Sequence, residues 1–114
     1  MAESGMVIVQ VNYRYEGDPV EWAKAYTPER AAMFQDLPGL VWKIWLDAPE
    51  ENRTGGIYLF RDRAAAEAYV NGPMLGRHRK NPAIHDLEVR VSGTRDAMNA
   101  VTRAPVPAAA SAGA

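Results

Sequence analysis

Hydrophobic and polar residues alternate along several segments of the chain. The clearest alternation runs from Met6 to Tyr15, where Val and Tyr residues occupy every second position. A period of two is typical of a β-strand whose two faces meet different surroundings. The same alternation predicts strands at Leu40 to Asp47 and His85 to Val91, and the β-favouring run Ile57 to Phe60 predicts a short one. The turn-rich segment APEENRTGG makes the second and third strands a hairpin.

Helical periodicity occupies the two long segments between these strands. In the first segment, apolar residues recur about once per turn and mark a buried face: Trp22, Tyr26, Met33 and Leu37. Asp18 is the expected N-cap, and Pro28 should interrupt the helix so that Thr27 caps a restart. In the second segment, Asp62 is expected to cap a helix that ends at Gly72. A basic connector, MLGRHRKN, with one or two helical turns, leads to the last strand.

The order β-α-β-β-α-β predicts a ferredoxin-like α+β domain, in which an antiparallel four-stranded sheet carries its helices on one face. We assign residues 1–103 to this domain, including a short helix from Asp96 to Thr102. Residues 104–114, APVPAAASAGA, are too small and proline-rich to build a core, so we expect a disordered tail.

The second face of such a sheet is not covered by helices and must meet water or another chain. Strand alternation is expected to bring a mixed set to this face: Ile8, Gln10, Asn12, Val41, Lys43, Trp45 and Glu88, with Tyr58 or Phe60 as further candidates. This face is too apolar for comfortable exposure. We therefore expect a homodimer packed face to face, with Lys43 and Trp45 in the interface.

Composition narrows the classes of function. The chain has 114 residues, 47% of them hydrophobic, and a formal net charge of −1, so nucleic acid is not an expected partner. Cysteine is absent, which excludes thiolate catalysis, disulfides and cysteine-ligated metal. No run approaches the roughly 18 apolar residues of a membrane span, and the start lacks a basic region followed by a long apolar run. We expect a cytoplasmic protein with no metal and no cofactor.

Three sequence segments carry a family resemblance. GLVWKIW from Gly39 to Trp45, GGIYLFRD from Gly55 to Asp62, and AEAY from Ala66 to Tyr69 resemble the YdhR-like monooxygenases of the dimeric α/β-barrel superfamily. The resemblance spans about Val7 to Thr102. It implies a ferredoxin-like protomer, a dimer whose two sheets form a barrel, and relatives that oxidise aromatic or polyketide substrates without bound metal or flavin. The wider superfamily includes other reactions, so the fold constrains the place of the site better than its chemistry.

Candidate site residues fall into an aromatic set and a polar set. The aromatic set is expected to line a substrate cavity between sheet and helices: Trp22, Trp42, Tyr58, Phe60 and Tyr69. Among the polar candidates, Arg77 would bind substrate and Asn12 would hold a substrate oxygen atom. His78 is the candidate base, because the ordinary pKa of histidine lies near neutrality.

These assignments compete with simpler ones. His78 lies in a basic stretch, which is more typical of a solvated surface residue than of a base, while His85 is better interpreted as structural. The pKa of Lys43 would fall if this residue were buried, yet lysines on sheet faces usually reach water along their apolar stems. Trp42 and Trp45 can serve the core or the interface without touching a ligand.

The resemblance implies cofactor-independent oxygenation of a small aromatic or polyketide-like substrate, and these residues offer a cavity and polar groups for that task. Such a substrate must become an enolate or phenolate, which can then give an electron to molecular oxygen. Two alternatives stay open: a non-catalytic protein that binds a hydrophobic metabolite in the same cavity, and a non-oxidative cyclase or isomerase.

Overall fold

Four antiparallel strands form the sheet, in the order β2-β3-β1-β4. The computed structural model describes residues 5–107. The strands are β1 (Val7–Tyr15), β2 (Leu40–Ala48), β3 (Arg53–Phe60) and β4 (Ile84–Gly93). Each central strand pairs along most of its length, β1 with both β3 and β4, and β3 with both β1 and β2. The predicted ferredoxin-like α+β fold is confirmed.

The helices are α1 (Pro19–Ala23), α2 (Pro28–Ala32), α3 (Arg63–Val70), α4 (Pro73–Lys80) and α5 (Asp96–Val101), with a 3-10 turn at Pro49–Glu51. The predicted interruption at Pro28 separates α1 from α2. The Thr27 side chain accepts a hydrogen bond from the Arg30 backbone N–H, and Asp62 accepts one from Ala65 in the same way. Both caps satisfy N–H groups that the first helical turn leaves unpaired.

The hydrophobic core lies between the helices and one face of β1 and β3. Every second residue of β1 is buried, from Val7 to Tyr15. Phe60 and Leu75 are fully buried against this face, and the burial of each such side chain contributes about 2 kcal/mol. The strand period therefore positions Tyr13 and Tyr58 toward the helices as well.

A β-bulge at Val41 decides which face of β2 meets the helices. Leu40 pairs with Phe60, whereas Trp42 pairs with the next residue back, Leu59, so Val41 is the extra residue. The extra residue reverses the alternation that starts at Leu40. Lys43 therefore pairs with Tyr58 on the helix face.

Because of this register, the predicted assignment of β2 residues to the two faces of the sheet is wrong. Lys43 and Trp45 lie on the helix face, and the open face instead carries Trp42, Ile44 and Leu46. Tyr58 and Phe60 also belong to the helix face, as partners of Val9 and Val7. The placement of Ile8, Gln10, Asn12 and Glu88 on the open face follows from the pairing of β1 with β3 and β4.

Strand β3 begins at Arg53, four residues earlier than predicted, because its glycines are strand residues and not part of the turn. A Cβ atom added to Gly55 would overlap the carbonyl oxygen of Val11 on the neighbouring strand. Glycine is needed here for the close approach of β1.

The segment after α5 returns to β2. The Trp42 indole N–H donates to the carbonyl oxygen of Pro105 at 2.8 Å, and the Ala104 N–H donates to the carbonyl of Asn99 at 2.9 Å. The predicted disordered tail thus has its first part, Ala104 to Pro107, in hydrogen-bonded contact with the domain. Its remainder, 108–114, lies outside the described residues. Within 5–107, none of the helices has the length and hydropathy needed to cross a membrane.

Candidate active site

A cavity of about 540 Å³ lies between the sheet and helices α1 to α4. Small-molecule sites commonly have this size. Seven aromatic side chains contribute to its wall: Tyr13, Trp22, Tyr26, Phe34, Trp45, Tyr58 and Tyr69. The acidic and basic side chains in the wall are Glu21, Arg30, Lys43, Arg77 and His78. The cavity therefore offers flat apolar surfaces with a few polar groups.

Lys43 extends from β2 into a cage of three aromatic rings. Its Nζ atom lies 3.3 Å from the ring centroid of Trp45, 3.7 Å from that of Phe34 and 4.7 Å from that of Tyr58. The rings surround the amine from β2, β3 and the turn after α2. No carboxylate within the described range 5–107 pairs with this amine.

Burial lowers the pKa of Lys43 to about 7, and repulsion from the positive charge of Arg30 acts in the same direction. Desolvation penalises the ammonium form and leaves the neutral amine unaffected. The ring faces oppose part of this penalty, because they attract a cation. Near neutral pH the cavity thus holds a lysine that carries a substantial neutral fraction.

The hydroxyl group of Tyr26 contacts side chains of α1, β1 and β3. The Trp22 indole N–H donates to the Tyr26 oxygen at 3.0 Å, and Thr54 lies 3.2 Å from the same oxygen. The Tyr13 hydroxyl is 3.5 Å away. Burial raises the pKa of Tyr13, and its hydrogen bond to Tyr26 raises it further. Tyr13 is therefore a neutral hydroxyl at physiological pH.

Tyr58 and Tyr69 form a second hydroxyl pair deeper in the cavity. Tyr69 donates its hydroxyl proton to the Tyr58 oxygen at 2.8 Å. Burial raises the pKa of both phenols. Both remain protonated at neutral pH, so they can donate hydrogen bonds but do not act as bases.

His78 reaches the cavity from α4 and packs edge-on against Tyr13, with 5.2 Å between ring centroids. Its Nδ1 atom lies 2.9 Å from the backbone carbonyl oxygen of Met74. A carbonyl can only accept, so Nδ1 carries the proton of the neutral ring. This tautomer leaves the lone pair on Nε2 available to accept a proton.

The structure brings together five of the residues proposed from sequence for the site: Trp22, Tyr58, Tyr69, Arg77 and His78. Their individual roles remain predictions. Asn12 and Trp42 lie on the open face, away from the cavity, because Asn12 pairs with Gly55 and Trp42 with Leu59. Phe60 is fully buried beneath Tyr58 and Tyr69 and supports the wall without lining it.

Sequence reasoning assigned the central pair of this cavity, Lys43 and Trp45, to a dimer interface. The alternation of β2 correctly placed both residues on the same face of the sheet. It gave no sign of the bulge that makes this face the one toward the helices. Tyr26 and Phe34 also line the cavity. The helical spacing of Tyr26 marked a buried face, which is equally typical of an ordinary core.

His85 lies outside the cavity, at the start of β4, where it contacts the carboxylate of Glu16. The prediction that His85 is structural agrees with this contact. In the part of the chain from 5 to 107, no cluster of three or more His, Asp or Glu side chains has a metal-binding arrangement.

Comparison with known families gives one match, to the model described as "Putative mono-oxygenase ydhR", over residues 8–105. This range includes β1 from its second residue, the whole of the other three strands and every cavity residue named above. No curated protein matches the chain.

Several solved structures share the fold at low sequence identity. SnoaB of Streptomyces nogalater, described as a cofactor-independent oxygenase, has a TM-score of 0.59 and 22% identity, covering 82% of this chain and 95% of that one. NE2512 of Nitrosomonas europaea, of unknown function, has a TM-score of 0.63 at 15% identity, covering 82% and 92%. The heme-degrader MhuD of Mycobacterium tuberculosis has a TM-score of 0.54 at 18% identity, covering 76% and 94%.

Proposed function

Because this chain belongs to the ydhR family of mono-oxygenases, we propose that it oxygenates a small aromatic or polyketide-like substrate in the cavity between sheet and helices. We propose further that the reaction uses no bound metal or organic cofactor. The observation that carries this proposal is the aromatic cavity of about 540 Å³ with an amine and an imidazole in its wall.

The cavity suits a flat substrate with an acidic O–H or C–H group. Rings such as Trp45 and Tyr58 offer faces and edges for stacking. The Tyr58 hydroxyl is neutral and accepts its hydrogen bond from Tyr69, so it keeps its own proton to donate to a substrate oxygen atom. Asn12 takes no part in this proposal, since it lies on the opposite face of the sheet.

The reaction begins with a proton transfer from the substrate to the protein. Two groups can accept the proton: Nε2 of His78 and the neutral amine of Lys43. The resulting enolate or phenolate gives one electron to molecular oxygen, and the two radicals combine to a peroxide. The peroxide anion takes the proton back from the protein, and loss of water from the resulting hydroperoxide leaves one oxygen atom in the product as a carbonyl and places the other in water.

Lys43 contributes to this step in both of its protonation states. The neutral amine takes the proton, and the ammonium that forms then stabilises the substrate anion across a short distance in a poorly solvated site. The similarity to SnoaB supports the absence of a cofactor only by analogy of fold, because the identity is 22%.

Oxygen uptake tests the proposal directly. Metal-free protein is mixed with a panel of anthrones, hydroquinones and naphthols, and dissolved oxygen is followed against a protein-free control that measures autoxidation. We expect protein-dependent uptake with at least one compound. No uptake with any of them would contradict the oxygenase. Binding without conversion would favour a metabolite carrier, and conversion without oxygen would favour a cyclase or isomerase.

We also propose a homodimer formed through the open face of the sheet. The support for it is the apolar half of that face, which combines residues of β1, β2 and β3: Ile8, Trp42, Ile44, Leu46 and Ile57. Ile44 is 46% exposed in the single chain. Packing two such sheets face to face would bury these side chains and produce a dimeric α/β barrel. Lys43 and Trp45 lie on the helix side of β2 and are left out of this interface.

Sedimentation at micromolar protein concentration tests the dimer, which predicts a species of twice the chain mass. A stable monomer at that concentration would contradict it. The cytoplasmic location expected from the sequence stays a prediction.

A further inference from the structure

Lys43 is the one lysine of the chain that lines the cavity. The sequence contains two other lysines, Lys24 and Lys80. Lys24 is on the surface and pairs with Glu21 at 2.9 Å, and Lys80 is exposed at the end of α4. The chain thus supplies one partly buried lysine and two solvated lysines for comparison.

The position of Lys43 depends on a glycine beside it. A Cβ atom added to Gly56 would lie 2.9 Å from the Lys43 Cε atom and 3.2 Å from the ring of Tyr58. The missing side chain leaves room for the lysine stem to run along β3 into the three-ring cage. Gly56 is therefore a positioning residue for the amine.

Two features of the site favour a nucleophilic amine. The first is the set of three aromatic rings around a partly buried amine, and the second is a neighbouring cation, Arg30, which lowers the pKa of Lys43 together with burial. Lysines that form Schiff bases with carbonyl substrates are activated in these two ways. No carboxylate within residues 5–107 pairs with the amine to hold it in the charged form.

We propose that Lys43 forms an imine with the carbonyl group of an apolar aldehyde or ketone bound in the cavity. The Nζ lone pair attacks the carbonyl carbon to give a carbinolamine. A C–N double bond then forms as the carbonyl oxygen leaves with both amine protons as water, so that no oxidant or reductant is consumed. The ring faces that attract an ammonium attract a protonated imine in the same place. This reaction is separate from oxygenation and does not depend on it.

Reductive trapping tests the imine. Wild-type protein is incubated without oxygen with naphthaldehyde and cyanoborohydride, which reduces an imine to a stable secondary amine. Intact mass and peptide mapping then locate the label. We expect one labelled lysine per chain, Lys43, with an added mass equal to the aldehyde less one oxygen atom; peptide mapping separates this label from any at the N-terminal amino group. The Lys24→Arg, Lys80→Arg double variant should label as the wild type does.

Lys43→Arg should remove this label, because arginine keeps the charge but forms no such imine. Label distributed over Lys24 and Lys80, or equal labelling of Lys43→Arg, would overturn the proposal. Because oxygen is excluded, a negative result here leaves the proposed oxygenase untouched, and a failed oxygenase assay leaves this reaction untouched.

A second variant keeps the lysine and moves it. Gly56→Ala places a methyl group against the lysine stem, so labelling of Lys43 should slow by several-fold while far-UV circular dichroism stays the same. Excess naphthylmethanol, which has the same rings but no carbonyl, should also slow labelling of the wild type by occupying the cavity. Labelling that neither change slows would overturn the claim that the cavity holds the carbonyl compound.

Discussion

Replacing Lys43 with methionine should change how the stability of the protein depends on pH. In the folded chain, burial and Arg30 lower the pKa of Lys43 from 10.5 to about 7. An unfolded chain restores the ordinary pKa and binds the proton more tightly. Protons therefore favour the unfolded state between these two values, and stability should rise as pH increases through this range.

The size of the effect follows from the two pKa values. Their difference sets an upper limit of about 5 kcal/mol on the rise in the free energy of unfolding. This limit is reached only above the pKa that Lys43 has in the unfolded chain. Attraction to the rings reduces this by about 1 to 2 kcal/mol. Between about pH 7 and about pH 9, the free energy of unfolding should rise by about 2 kcal/mol more in the wild type than in Lys43→Met.

Urea denaturation followed by tryptophan fluorescence measures this difference, with both proteins at one concentration so that any association affects them equally. The methionine variant is a close match in volume and keeps every other titrating group. The pH range of the experiment stays below the pH at which tyrosines ionise in the unfolded chain. Above that pH, the raised pKa values of buried Tyr13 and Tyr58 would make stability fall with increasing pH. Parallel pH profiles for the two proteins would refute the lowered pKa of Lys43.

Substitutions at three further positions distinguish the cavity, the open face and the pairing of the strands. Trp45→Ala removes part of the cavity wall and should weaken naphthol binding by roughly tenfold, whereas Trp42→Ala should leave it unchanged in a fluorescence or calorimetric titration. Trp42→Glu places a charge on the apolar part of the open face and should give monomer in sedimentation, while Lys43→Met should keep the dimer. A dimeric Trp42→Glu together with a monomeric Lys43→Met would contradict the register of β2. Gly55→Ala forces a methyl group against the Val11 carbonyl and should lower the unfolding temperature markedly, and an unchanged temperature would argue against the close approach of β1 and β3.

The elements that sequence predicted well are those fixed by local chemistry. Every second residue of β1 is apolar, and this pattern gave the strand and its buried face. Asp18, Thr27 and Asp62 each cap the helix expected of them, because a cap needs only a short polar side chain next to the first turn.

The elements that sequence missed depend on tertiary contacts. Both faces of β2 are apolar, so a single extra residue at Val41 changes which face is buried without altering the visible pattern. Gly55 and Gly56 resembled a turn, yet one allows two strands to approach and the other makes room for Lys43. The aromatic cavity could be anticipated, but the inward turn of Lys43 and Trp45 could not.

The measurement that tests the central claim most directly is the fate of isotopically labelled molecular oxygen. Metal-free protein converts an anthrone or naphthol under heavy-isotope oxygen, and mass spectrometry measures label in the product and in water. The oxygenase predicts one labelled atom in each product molecule and the other in water, at a rate well above the protein-free control. Product without label, or labelled product formed no faster than in the control, would contradict it.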